Sequence, residues 1–197
     1  MSTRETRAAA GLQPETNRDP AQSRIPGDGP QADVLHTQGG LPMPRWFKSL
    51  GRPQEPSGPT VTLRSFQPAD PTVTQDRVAP SADGWVMEAP KTGTVRLFEV
   101  GGLQVEQCTL TYRASLSTQK LDGRAYLEMW VRVPGRGEFF GRGTDQTVEG
   151  TTGWTSRETR FYLKKGQIAD LVKLNLIVEG NGEQIAIKDV ELLKTPL

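Results

Sequence analysis

Between Ala125 and Val133 the chain reads AYLEMWVRV, and alternate residues sort into two sets of unlike chemistry. Ala125, Leu127, Met129, Val131 and Val133 share one side of an extended strand, and Tyr126, Glu128, Trp130 and Arg132 share the other. The first set is core. The second joins two amphipathic aromatics to a carboxylate and a guanidinium. A shallow surface that holds a polar ring needs this mixture, apolar area for stacking and charges for directed hydrogen bonds. Trp130 or Tyr126 would stack on the ring and Glu128 would accept from its hydroxyls. Arg132, with Arg113 and Asn175 if their strands share the sheet, would donate.

Other chemistry is scarce. The only histidine, His36, precedes residue 60, so residues 60–197 have no His-based triad or multi-histidine metal site. The single cysteine, Cys108, is in phase with Leu110 and Tyr112 and reads as a small buried hydrophobe. Glu128 and Glu138 are candidates for an acid and base pair in glycoside cleavage, but nothing in the sequence sets their separation. Gly135-Arg136-Gly137 and Gly141-Arg142-Gly143 look like phosphate-binding glycine loops, yet no helix start follows either, and they read as turns. The expectation is a binding module with no enzymatic activity, cofactor or metal.

The elements that must position these residues begin near Thr60. Residues 1–59 hold nine of the 15 prolines and few apolar residues, too few to offset chain entropy, and are expected to form a disordered leader. One stretch of it, LPMPRWFKSLGR at 41–52, sets Trp46 and Leu50 four apart among Arg45, Lys48 and Arg52 and has the form of a docking peptide. Residues 60–197 suffice for one domain with a real core. The leader holds seven basic and six acidic residues of 24 and 23 in all, so 17 of each remain in the domain. That balance, with no basic run, gives no footprint for nucleic acid. No stretch approaches a membrane span, and the first 20 residues carry arginines without an apolar run. The expected location is cytoplasmic unless the true start lies upstream.

From Trp85 onward the chain reads as strand after strand between turn signals: Asp83-Gly84, Gly101-Gly102, Asp122-Gly123, Pro134-Gly135 and Lys165-Gly166. Gly180-Asn181-Gly182 reads as a hairpin. Cys108, Leu110, Tyr112, Ala114 and Leu116 alternate with polar residues, and Val172, Leu174, Leu176 and Val178 alternate with Lys173, Asn175, Ile177 and Glu179. The phase slips after Ile187, which predicts a bulge near Lys188-Asp189. One wet and one dry face per strand predicts an all-β antiparallel sandwich, with a jelly roll the preferred topology.

Four segments carry a resemblance: Gly150-Thr151-Thr152-Gly153-Trp154, Phe161 to Gly166, Lys173 to Leu176 with Glu179 to Gly182, and Ile187 to Leu192. Over Trp85 to Pro196 the chain resembles β-jelly-roll domains of the galactose-binding-like and carbohydrate-binding-module type, and in particular uncharacterised bacterial members. The resemblance implies a saccharide or similar polar ligand; in relatives an aspartate of the last strand can help hold a structural calcium, for which Asp189 is here the only ligand to name. Lys188 stands where relatives often have an aspartate, and would repel that ion. Trp154 is expected in the core. The alternative is a protein-interaction or assembly module, with the leader as tether, 41–52 as docking peptide and a protein as partner.

Overall fold

A computed structural model describes residues 55–197, and within them alternation of β-branched, aromatic and polar residues turns nearly every segment into strand. The leader and its 41–52 motif lie outside the described residues, apart from residues 55–59. Nine strands follow in order: β1 (Val61–Ser65), β2 (Ala79–Pro80), β3 (Trp85–Glu88), β4 (Gly93–Val105), β5 (Cys108–Val133), β6 (Gly137–Arg142), β7 (Val148–Leu163), β8 (Ala169–Asn181) and β9 (Gln184–Pro196). Every pairing is antiparallel. Among the described residues no helix is long and apolar enough to cross a membrane.

The spine is β5, whose 26 residues serve two layers. Its first half, Cys108 to Gln119, lies between β9 and β7, and β9 pairs onward to β1 and β3. Its second half, Asp122 to Val133, pairs with β8 on one side and, on the other, with the start of β7 at Arg124 and Ala125 and with β6 from Glu128 onward, and β8 pairs onward to β4. Leu110, Tyr112 and Leu116 from the first half and Leu127, Met129 and Val131 from the second are essentially inaccessible and belong to one apolar cluster. The sheet therefore folds over on itself, which is the expected antiparallel sandwich. At one edge Phe66 stacks on Phe98 with centroids 3.9 Å apart, and Trp85 meets Phe98 edge-on at 5.0 Å.

The corner between the layers differs from the sequence reading. Asp122-Gly123 is a bend inside β5, and Gly180-Asn181-Gly182 is no hairpin, because β8 and β9 each pair with β5 and not with one another. Gly123 (φ +114°) and Gly180 (φ +136°) face each other where both chains turn from one layer to the other. A Cβ on Gly180 would lie 1.9 Å from the Asp122 carbonyl oxygen, and one on Gly123 would lie 2.0 Å from that of Glu179. Glycine is needed for contact between two bending strands, and the same backbone freedom that suggests a hairpin serves a corner.

The bulge falls where the phase slip put it: Arg113 pairs with Glu191 and Ser115 with Lys188, leaving Asp189 at φ +52°. Cys108 is fully buried, as expected, and burial raises its thiol pKa against the opposing charge of Lys194. Trp154 corrects an expectation. It lies on edge strand β7 where the register to β5 slips between Leu116 and Thr118, and a slip of one residue reverses the face of a side chain. It is 47% exposed, with the Lys188 ammonium 4.6 Å from its ring centroid. In denaturant titration Trp85→Ala is expected to cost about 3–5 kcal/mol, and Trp154→Ala about 1 kcal/mol or less. Equal losses would return Trp154 to the core.

Candidate functional site

A three-residue turn, Pro134-Gly135-Arg136, joins β5 to β6, closed by the Arg136 N–H donating to the Val133 carbonyl at 3.0 Å. It pairs Val133 with Gly137, and the register then sets Trp130 opposite Phe140 and Glu128 opposite Arg142. On its other side β5 meets β8, which sets Trp130 beside Lys173, Glu128 beside Asn175 and Tyr126 beside Ile177. Directly opposed residues share a face. All of these therefore stand on the outer face of the second layer, opposite the core set.

Glu128 organises that face from beneath. It is only 2% exposed, and it accepts hydrogen bonds from Trp130 Nε1 (2.7 Å), Arg142 Nε (2.6 Å) and Asn175 Nδ2 (3.1 Å). Burial pushes its carboxyl pKa up, but the hydrogen bonds from Arg142, Trp130 and Asn175, with the Arg142 charge, outweigh burial and hold it below the ordinary glutamate value. The bond to Trp130 reaches back two residues along the same strand, so the indole is turned along β5 instead of standing off it. Phe140, half exposed, lies beside it with centroids 5.2 Å apart and planes at 42°. The Arg142 guanidinium sits 4.6 Å from the Phe140 centroid. The result is a shallow aromatic platform of one partly exposed and one exposed ring, fixed by a buried carboxylate.

Charge around the platform is cancelled locally. Arg96 pairs with Glu99, Arg124 with Glu179, Arg132 with Asp170, Arg142 with Glu128 and Lys173 with Glu138, at 2.6–3.1 Å. Each of these five pairs cancels internally, and Glu149 adds an anion to the same face opposite Arg124. Each exposed pair contributes little stability. Together they surround the aromatics with both donors and acceptors.

Of the six residues singled out in the sequence, Tyr126, Glu128, Trp130, Arg132 and Asn175 do share this face. Arg113 does not. It stands on the outer side of the first layer, because it belongs to the other half of the bent strand, and it bonds Glu191 at 2.8 Å. Tyr126 is 3% exposed, its hydroxyl donating to Glu179 at 2.8 Å with Arg124 over its ring. Glu128 and Asn175 are buried too, so these three bond to neighbouring side chains instead of facing solvent. Arg132 is exposed and held by two 2.9 Å bonds to Asp170. Phe140 and Arg142 were missed, although the tight turn at 134–136 specifies both by register. A calcium ion does not fit at Asp189. That carboxylate accepts from Ser115 Oγ at 3.0 Å beside Lys188, and among the described residues no three metal-ligating side chains cluster.

No protein-family model and no curated protein matches the chain. Among solved structures it is similar to a CBM4 carbohydrate-binding module, at 17% identity and a TM-score of 0.40 over 60% of this chain and 77% of that one. It is also similar to the CBM22-1–GH10 modules of Clostridium thermocellum endo-1,4-β-D-xylanase 10B, at 9% identity and 0.41 over 70% of this chain and 25% of that one. A third structure, from the β-sandwich superfamily of carbohydrate-binding modules, matches at 13% identity and 0.36 over 55% and 45%.

Proposed function

We propose that the outer face of the second layer is a non-catalytic binding surface for a saccharide or a similar polar ring, with Trp130 and Phe140 as its platform. The observation that carries this reading is the Trp130 indole tied down by a sealed carboxylate beside a half-exposed phenyl ring. A pinned ring loses little side-chain entropy when a ligand stacks on it. The paired charges around it supply both partners a hydroxyl needs. Catalysis finds no support in the carboxylates, since Glu128 is sealed and Glu138 bonds Lys173 through both oxygens at 2.7 and 2.9 Å.

A glycan array followed by calorimetry on its best binder tests the reading. Trp130→Ala and Phe140→Ala are each expected to weaken binding by about 2 kcal/mol or more, roughly thirtyfold, with unchanged far-ultraviolet dichroism. An array with no binder, or binding indifferent to both changes, rejects it.

A further inference from the structure

Beyond the platform β6 ends against β7, and a small polar cavity opens at their seam. Gly141 and Gly143 permit the approach: a Cβ on Gly141 would lie 2.6 Å from the Arg160 carbonyl oxygen, and one on Gly143 3.2 Å from that of Glu158. The cavity measures about 260 Å³ and is lined by Arg142, Asp145, Gln146, Glu158, Thr159 and Arg160. Arg142 is common to the cavity and the platform, since its guanidinium lies over the Phe140 ring while its Nε is held by Glu128. The other walls are also held in place. Gln146 Oε1 accepts from the Glu158 N–H at 3.0 Å, which leaves the carboxamide nitrogen as its donor, and Glu158 bonds Arg160 at 2.5 Å.

We infer that this cavity is a second subsite of the same binding surface, taking the hydroxyl-bearing unit next to the ring stacked on Trp130 and Phe140. The inference rests on the saccharide reading above. Arg142, Gln146 and Arg160 donate, Asp145 and Glu158 accept, and the Thr159 hydroxyl does both, a mixture suited to hydroxyls. The volume lies below the roughly 300 Å³ at which pockets for drug-sized ligands begin. It has room for one small polar unit. The recognised ligand is therefore at least a disaccharide, read as one stacked ring and one polar neighbour.

The test uses the whole chain and a panel of neutral β-linked gluco-, xylo- and manno-oligosaccharides of one to four units, measured by calorimetry. Affinity is expected to rise about tenfold from one unit to two and by much less thereafter. Gln146→Ala and, separately, the exposed Asp145→Ala should each remove most of that first increment with dichroism unchanged, and for Asp145→Ala with melting unchanged too. Equal affinity for one and two units, with Trp130→Ala still abolishing both, overturns the subsite and leaves the platform standing. So does an increment that survives both variants. Failure of every oligosaccharide to bind overturns the subsite and the platform together.

Discussion

Gly180→Ala is expected to destabilise the native fold severely, by more than about 4 kcal/mol. Its backbone, at φ +136°, lies in a region essentially closed to side-chain-bearing residues, and the strain alone costs about 1–3 kcal/mol. Contact adds more. The new methyl would lie 1.9 Å from the Asp122 carbonyl oxygen, an atom fixed by strand pairing and unable to rotate away. Separating the strands would disturb the corner at which β5 and the β8–β9 segment pass from one layer to the other. The combined loss exceeds about 4 kcal/mol, a large part of the ~5–15 kcal/mol a domain possesses. Denaturant titration and near-ultraviolet dichroism will read it. A folded Gly180→Ala domain with a midpoint close to wild type would show that the corner tolerates separation. Gly150→Ala is the control: its φ is also positive, at +62°, but nothing lies within 4 Å of its Cβ, and it should cost about 1–2 kcal/mol.

The second large effect is expected at Glu128. Replacement by leucine leaves Arg142, Trp130 and Asn175 without their shared acceptor. Arg142 can regain water, since about half its side chain is exposed, but Asn175 cannot. A cost of about 2–4 kcal/mol follows, at the lower end of that for breaking a buried pair. Binding should fall further than stability, because the indole loses its tether and Arg142 its place over Phe140. Glu128→Gln keeps one carbonyl acceptor and should recover part of both. Equal binding by wild type, Glu128→Leu and Glu128→Gln would refute the supporting role. The pH dependence has a definite sign. The folded-state pKa of Glu128 lies below its ordinary value, so its contribution is fully present above the ordinary glutamate value of about 4.3. It is lost only as pH falls through the depressed folded value. Saccharide affinity should thus stay level from about pH 8 to 5 and decline in stronger acid. A decline centred near pH 6 would contradict this assignment.

Much of the arrangement can be read from local pattern. The two faces of Ala125–Val133, the burial of Cys108, the bulge at Asp189 and the antiparallel all-β class depend on alternation within a strand, which a linear chain records directly. Phe140 and Arg142 were within reach, since a three-residue turn fixes the register that sets them beside Trp130 and Glu128. Trp154 was not, because its face depends on a register slip against another strand.

Periodicity and turn chemistry assign which side of a strand faces the core wherever the register runs without a slip, since they act between residues a few positions apart. They cannot say which strands become neighbours. Glycines at 123 and 180 permit a turn or a corner equally, and only pairing of β5 with both β8 and β9 selects the corner. That choice separates Arg113 from Trp130 on different layers, seals Tyr126, Glu128 and Asn175 under crossing ion pairs, and leaves Trp130 and Phe140 as the accessible aromatics over Glu128. Burial on an outer face is set by long side chains reaching across from neighbouring strands, so it is decided only once those strands have met.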